Sequence, residues 1–346
     1  MCEPKPEQEL PLNEPIEREK LEEFRKRYQH DAFCKDKLRN VNTAKKFLEY
    51  VLKPTARELL DLDGLEVVSE SFVDEELNRS YADVLYRTPV KGRDESIFIF
   101  ILIELKTEDD RWTVFQMAKY VVRIWDRTLN DAKDKQLSLK TFMLPMVIPI
   151  IFHHGGSDFT SPTKLIDLVR AYGGCESYVL NMECLLCDVT PIQPEGMPQD
   201  RDLEILFMAL QTVFNKNVLD GLLAIHAKLE PTMDSEETQD VMEDILYYAS
   251  TSASSFNKKE CDVFFKQTNF RMGKRVMSLI DTMFAEGKAE GFAKSIMSIL
   301  KKRFKCVPEH IENTVRNMSD TVALESLVVD AAVCNSLDEF NELLPD

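Results

Sequence analysis

Glu104 and Lys106 end the segment SIFIFILIELKT, in which seven apolar residues, Ile97 to Ile103, run straight into charge. An apolar run of strand length is buried on both faces, which places it in the middle of a sheet. Strand alternation puts Phe98, Phe100, Leu102, Glu104 and Lys106 on one face and Leu105 on the other. The carboxylate and the ammonium group therefore emerge side by side, their Cα atoms about 6.6 Å apart. The preceding segment SYADVLYR alternates too, with Asp83, Leu85 and Arg87 opposite Ala82, Val84 and Tyr86. A hairpin turning around Gly92 brings Asp83 close to Glu104. Two carboxylates at a sheet end make a hard, oxygen-rich site of the kind Mg²⁺ uses with phosphate substrates. A lysine beside them can hold or help deprotonate a water, or stabilise charge developing on phosphate. The same spacing also fits a plain solvated strand end, because exposed Asp, Glu and Lys are common.

The elements around this strand sort by periodicity. Tyr28 to Leu62 reads as helical, with Ala44, Phe47, Leu48, Val51 and Leu52 at helix spacing and Pro54 interrupting. Leu65 to Val73, Ser80 to Arg87 and Ile97 to Lys106 read as strands, and Pro89 to Ser96 as a hairpin loop. Trp112 to Leu129 returns to helix spacing. Its residues Gln116, Tyr120, Arg123 and Arg127 form one stripe, suited to phosphate-backbone contacts or equally to a plain exposed face. Val114, Ala118, Val121 and Trp125 form the face that packs on the sheet. MLPMVIPIIFHHGG reads as a buried strand whose Pro145 and Pro149 restrict its pairing as a central strand. A helix is expected over Pro162 to Ala171 and a strand over Val179 to Asp188. The order defines a mixed α/β layer. Beyond PIQPEGMPQDR the helices Asp202 to Asn217, Leu219 to Leu229, Glu236 to Ser250 and Gly273 to Lys305 follow. The last contains AEGKAEGFAK, whose two glycines cost roughly 2 kcal/mol relative to alanine. They mark a hinge, a helix stabilised by a partner chain, or a solvated face.

With 346 residues, 44% of them apolar, the chain has enough for two or three domains with cores of their own. No run approaches the roughly 18 apolar residues of a membrane span. Residues 1–27 are charged and proline-rich without an apolar core, unlike a signal peptide, and read as a flexible tail. Eight scattered cysteines fit reduced thiols in a cytoplasm. The net charge of −17 argues against non-specific nucleic-acid binding by the chain as a whole. That charge is uneven: Glu230 to Asp244 holds seven acids and no Lys or Arg, whereas Arg79 to Lys140 holds twelve Lys or Arg against ten acids. Any polyanion site would have to be local, and the central region is where the charge allows one.

The text SYADVLYR…ILIELKT resembles the D…(D/E)-x-K core of the PD-(D/E)XK nuclease superfamily, and more specifically the Rpn family of recombination-promoting nucleases, also called YhgA-like putative transposases. HDAFCKDKL, YVVRIWDR, LPMVIPIIFHHG, CDVTPI and EGKAEG followed by ILKKRF carry the likeness over about three-quarters of the chain, in the family's order. The resemblance implies a restriction-endonuclease-like mixed sheet flanked by helices over residues 28–195, a helical region over 196–272, and a C-terminal helical, oligomerising segment over 273–346. It implies a Mg²⁺-dependent DNA endonuclease, Mn²⁺ substituting, with Asp83 and Glu104 as metal ligands and Lys106 as the third catalytic side chain. Gln116 and Tyr120 resemble the QxxxY element of RecB-like nucleases. Asp188 matches a recurrent family acid without an assigned role. Ala82 replaces the proline of the superfamily name, and Lys106 stands where many members carry glutamine.

Other pairs carry less. His30-Asp31 lacks the further histidines of a phosphohydrolase and suits a helix start or packing. His153-His154-Gly155 suits a structural turn at the edge of the site. Cys184 and Cys187 have metal-ligand spacing but no second pair, and the leucines between them read as strand core. Two further functional classes stand beside the nuclease: a non-catalytic DNA-binding or assembly protein on a nuclease-derived fold, and a transposase. DNA and a second copy of the chain are the expected partners, with no membrane.

Overall fold

The computed structural model describes residues 30, 32–68, 84–93, 98–170, 173, 178–253, 255–268, 270 and 274–345. Two compact units divide the chain, one ending at Gly221 and the other beginning at Leu222. The helical start of the first unit is broken into pieces for local reasons. Helix α1 includes residues 32–39. Asn40 ends it and caps α2 (Val41–Val51), its side chain accepting from the Asn42 and Thr43 N–H groups. Leu52 turns extended because Pro54, the first residue of α3 (Pro54–Leu59), excludes further helix there.

Five strands form one mixed sheet in the order β1-β2-β3-β4-β5: β1 (Glu66–Val67), β2 (Val84–Pro89), β3 (Phe98–Lys106), β4 (Val147–His153) and β5 (Leu185–Asp188). β1, β2 and β3 pair antiparallel; β4 joins β3 in parallel and β5 joins β4 in parallel. The apolar run of β3 thus sits at the centre of the sheet, as its composition requires. Gly92, in the turn between β2 and β3, has φ +68°, a conformation that disfavours any side chain.

Both faces of β3 are covered. Phe100 and Leu102, with Leu85 and Ile151, pack against Val114, Met117, Ala118, Tyr120 and Ile124 of helix α4 (Thr113–Asp134). On the other face Ile101 and Ile103 are fully buried, and Phe152 packs at a tilt against Phe47 of α2, ring centres 4.9 Å apart. Each such side chain stabilises the layer by about 1.5–3 kcal/mol.

Three expectations change. β4 is a central strand despite Pro149. In a parallel strand successive residues direct both backbone groups to alternate sides. The Met146 carbonyl accepts from Phe100 on the β3 side, and the His153 carbonyl accepts from Val189 on the β5 side. Pro149 shares the orientation of His153, so its missing N–H faces a side on which β5 begins pairing only at Ile150. Of the helix expected over Pro162 to Ala171, the described residues 162–170 form only a short 3-10 turn, Leu165–Leu168, because residues 163–165 commit their backbone to residues 182–184. Leu165 N–H donates to Met182 and Cys184 N–H donates to Thr163. The same pairing shortens the expected strand Val179 to Asp188 to β5. The expected helix Asp202 to Asn217 spans α5 (Arg201–Thr212), capped by Asp200.

After α6 (Val218–Leu229), the second unit is built of helices: α7 (Glu236–Ser252), α8 (Lys258–Thr268), α9 (Lys274–Phe304), α10 (Glu309–Asn317), α11 (Thr321–Val333) and α12 (Leu337–Asn341). α8 is absent from the periodicity reading, yet its start is signalled by Asn257 and Glu260. The Asn257 side chain accepts from Lys259 and Glu260 N–H groups while Glu260 accepts from Asn257 N–H, a reciprocal cap. α9 runs unbroken through Gly287 and Gly291, and a Cβ at either would meet nothing within 4 Å. Ile296, Leu300, Ile311, Val315, Leu324, Leu327 and Phe340 form the core of these last helices. Among the described residues no helix is long and apolar enough to cross a membrane.

Candidate active site

β3 ends on a closed group of polar side chains. Glu104 is 1% exposed. Its Oε1 accepts from Lys106 Nζ at 2.9 Å and from Gln116 Nε2 at 2.8 Å. Lys106 Nζ also donates to Gln116 Oε1 at 3.0 Å, which closes a three-membered ring of contacts. The second Nε2 proton of Gln116 goes to the Tyr120 hydroxyl. This arrangement fixes the amide: turned over, it would set its oxygen against the Glu104 carboxylate and its protons against the Lys106 ammonium. Burying a carboxylate costs several kcal/mol unless it is paired and hydrogen-bonded, and both conditions are met at Oε1, whereas the buried Oε2 accepts no hydrogen bond from the described residues.

α4 supplies this clamp because Gln116 and Tyr120 lie one turn apart on its inward side, Tyr120 only 1% exposed. The expected polar stripe therefore divides. Gln116 and Tyr120 turn to the site, whereas Arg127 is 52% exposed and paired with Asp131 at 3.1 Å along the helix. Arg123 is half-buried. Val114, Ala118 and Val121 are buried as expected, and half-buried Trp125 donates its indole N–H to the Pro145 carbonyl.

Asp83 lies outside the described residues, as do Asp31 and residues 69–82. Val84, the next residue, pairs with Ile103, the residue before Glu104.

A second polar row crosses the sheet beside the first. Lys106 pairs with His153, and His153 with Asp188, across three neighbouring strands. His153 Nδ1 lies 2.9 Å from Asp188 Oδ1. Asp188 also accepts the Phe159 N–H at 2.7 Å and the Thr190 N–H at 3.1 Å. Burial alone would raise its pKa. The His153 hydrogen bond, the Phe159 N–H, the His153 charge and the Thr190 N–H together hold it below the usual carboxylate value. Asp109, in the loop between β3 and α4, does similar work from the other side, accepting from Thr160 N, Thr160 Oγ1 and Ser161 N. Burial again opposes, but the Ser161 and Thr160 bonds lower its pKa to about 2. Asp109 and Asp188 thereby fasten the segment after β4 to the loop that follows β3 and to the end of β5. Sequence reading left Asp109 unremarked; its acid-rich loop before a helix was the available signal.

The remaining pairs resolve into packing. His30 stacks on Phe214 with ring centres 4.9 Å apart. Cys184 and Cys187 are buried free thiols. Burial, then the Glu104 and Glu183 charges, push Cys184 up to about 12, and burial raises Cys187 further. Thiols held protonated in this way are poor metal ligands. Among the described residues no group of three His, Cys, Asp or Glu is placed to hold a metal ion.

His154 is fully buried with both ring nitrogens lacking a hydrogen-bond partner among the described residues. Burial first, then the nearby His30 and His153, lower its pKa to about 3. The unfolded chain, with an ordinary histidine near 6.5, binds this proton at a pH where the folded chain does not. Its contribution is thus complete above about pH 6.5 and is lost as pH falls towards 3, a loss on the order of 5 kcal/mol. Asp109, with a depressed carboxylate, loses its contribution only below about pH 4. Urea titrations from pH 8 to 3 are expected to show a decline for wild type between about 6.5 and 4 that is flattened in His154→Leu. Equal slopes for the two proteins would refute the assignment.

Fold and site together define a mixed α/β protein with a clamped Glu-Lys-Gln group at the end of its central strand. The chain matches the family described as "Putative transposase, YhgA-like" over residues 28–240, and it belongs to that family. It is 28% identical over 205 residues to "Recombination-promoting nuclease RpnD" of Escherichia coli O157:H7, covering 56% of this chain and 71% of that one. It is 35% identical over 126 residues to "Recombination-promoting nuclease RpnC" of Escherichia coli K12, covering 36% of this chain and 39% of the relative. Over 95 residues, 28% of this chain and 90% of the relative, it is 37% identical to "Putative inactive recombination-promoting nuclease-like protein YjiP" of the same strain. No solved structure matches the chain.

Proposed function

We propose that the protein is a divalent-metal-dependent DNA endonuclease that hydrolyses phosphodiester bonds in recombination or mobile-element DNA. The observation that supports this most is the buried Glu104 carboxylate, held beside the Lys106 ammonium by Gln116 at the end of the central strand. A carboxylate of this kind is a hard oxygen donor suited to Mg²⁺ or Mn²⁺. The described residues supply one such carboxylate, and Asp83, one peptide bond before Val84, would supply the second. A bound ion would polarise the phosphate and lower the pKa of a water. Lys106 would steady that water or the charge growing on the phosphate, and Gln116 would hold both Glu104 and Lys106 in place. Relatives named as nucleases favour this reading, and a relative named inactive makes activity the quantity to measure. Purified wild type incubated with supercoiled plasmid and Mg²⁺ or Mn²⁺ should nick it, and Glu104→Gln should not. Equal nicking by both proteins, or none by wild type with either metal, would sink the proposal.

Self-association belongs to the same proposal, through the C-terminal helices. α11 packs Leu324, Leu327 and Ala331 inward, yet Val322, Val329 and Val333 on its other side are 62–76% exposed. A helix apolar on both sides calls for a second cover. Light scattering should give an oligomer for wild type and a monomer for Val329→Lys; unchanged mass in the variant would remove this part.

A further inference from the structure

We infer that Trp112 and Phe115 form a stacking platform for unpaired bases at the lip of the Glu104 site, so that the preferred substrate presents single-stranded nucleotides there. The inference rests on the nuclease reading and supplies its substrate class.

Trp112 and Phe115 are 58% and 48% exposed, at the start of α4. Their place is set by the clamp itself: the Trp112 carbonyl accepts the Gln116 N–H at 2.9 Å, and Phe115 directly precedes Gln116. Positions 112, 115 and 119 share a helix face, so the two rings and Lys119 lie in one row. The rings stand edge to face, centres 6.5 Å apart and planes at 75°. Lys119 Nζ lies 5.4 Å from the centre of the Phe115 ring. Arg111 adjoins Trp112 in sequence. Aromatic faces interleaved with Lys and Arg suit a nucleic-acid strand, whose bases stack while its phosphates meet the cations. Two of the three acids in the preceding loop accept hydrogen bonds from the fold. Asp109 accepts from Thr160 and Ser161, and Asp110 accepts the Trp112 N–H at 2.9 Å. Paired bases in a duplex keep their faces stacked on one another, so this row favours strand ends, gaps or single strands.

The test uses the full chain carrying Glu104→Gln, so that binding is read apart from cleavage. Fluorescence anisotropy compares an oligothymidylate of about 16 nucleotides, an abasic strand of the same length and a blunt duplex. The parent should bind oligothymidylate better than the abasic strand. Trp112→Ala with Phe115→Ala should lose about tenfold or more on oligothymidylate, change less than about twofold on the abasic strand and the duplex, and regain most of the loss as Trp112→Tyr with Phe115 restored. Since Trp125 is the only other tryptophan, a Trp125→Phe background lets Trp112 emission report stacking by quenching. Unchanged oligothymidylate affinity in the double variant, equal losses on all three probes, or a change of oligomeric mass without a change in binding would each overturn the inference. Retained stacking with no plasmid nicking by wild type would instead refute the nuclease reading alone.

Discussion

Glu104→Gln is expected to reduce plasmid nicking by about a thousandfold or more while leaving the fold intact. Glutamine matches glutamate in shape, and its amide oxygen can still accept from Lys106 and Gln116. The clamp therefore keeps its hydrogen-bonding shape, and circular dichroism at the assay temperature should show the variant folded, with a thermal midpoint below that of wild type because Lys106 loses its charged partner. What disappears is the negative charge. Without it a metal ion loses a charged ligand, and the Lys106 ammonium faces a neutral amide in a half-buried site. Glu104→Asp sharpens the comparison. It keeps the charge but shortens the reach by one methylene, so partial activity is expected. Full activity in either variant would place the chemistry elsewhere.

Gly155→Ala is expected to cost about 2–4 kcal/mol, read as a fall in the thermal midpoint of roughly 5–15 °C. A Cβ at this position would lie 2.2 Å from the Thr107 carbonyl oxygen and 2.7 Å from His153 Nε2. Both neighbours are constrained. Thr107 follows Lys106 at the end of β3, where the His154 N–H donates to the Lys106 carbonyl at 2.9 Å. His153 is fixed by Asp188. Relief of the clash must push the end of β3, so nicking should fall more than stability alone accounts for. Gly156→Ala is the control: its Cβ would make an ordinary 3.5 Å contact with the Phe214 ring, and a change within about 1 kcal/mol is expected. Equal effects at the two positions would mean that the close approach at Gly155 is not what demands glycine.

Much of the layer containing the site was legible from residue order. Central placement of β3, the shared face of Glu104 and Lys106, and the inward face of α4 all follow from alternation and helix spacing, which are properties of neighbouring residues. The readings that moved depended on distant partners. Periodicity assigned residues 162–171 to a helix, whereas hydrogen bonds to residues 182–184 hold their start extended. Pro149 argued for restricted pairing as a central strand, whereas the late start of β5 frees a central strand to contain it.

Sequence by itself determined which side chains arrive at the end of the central strand, because strand and helix periods decide direction within one element. Tertiary structure decided what they meet there: Gln116 bonded to both Glu104 and Lys106, Asp188 turned onto His153, and Asp109 holding the loop at Thr160 and Ser161. Those contacts join residues 10 to 52 positions apart, and only packed elements bring such distant groups within hydrogen-bonding reach.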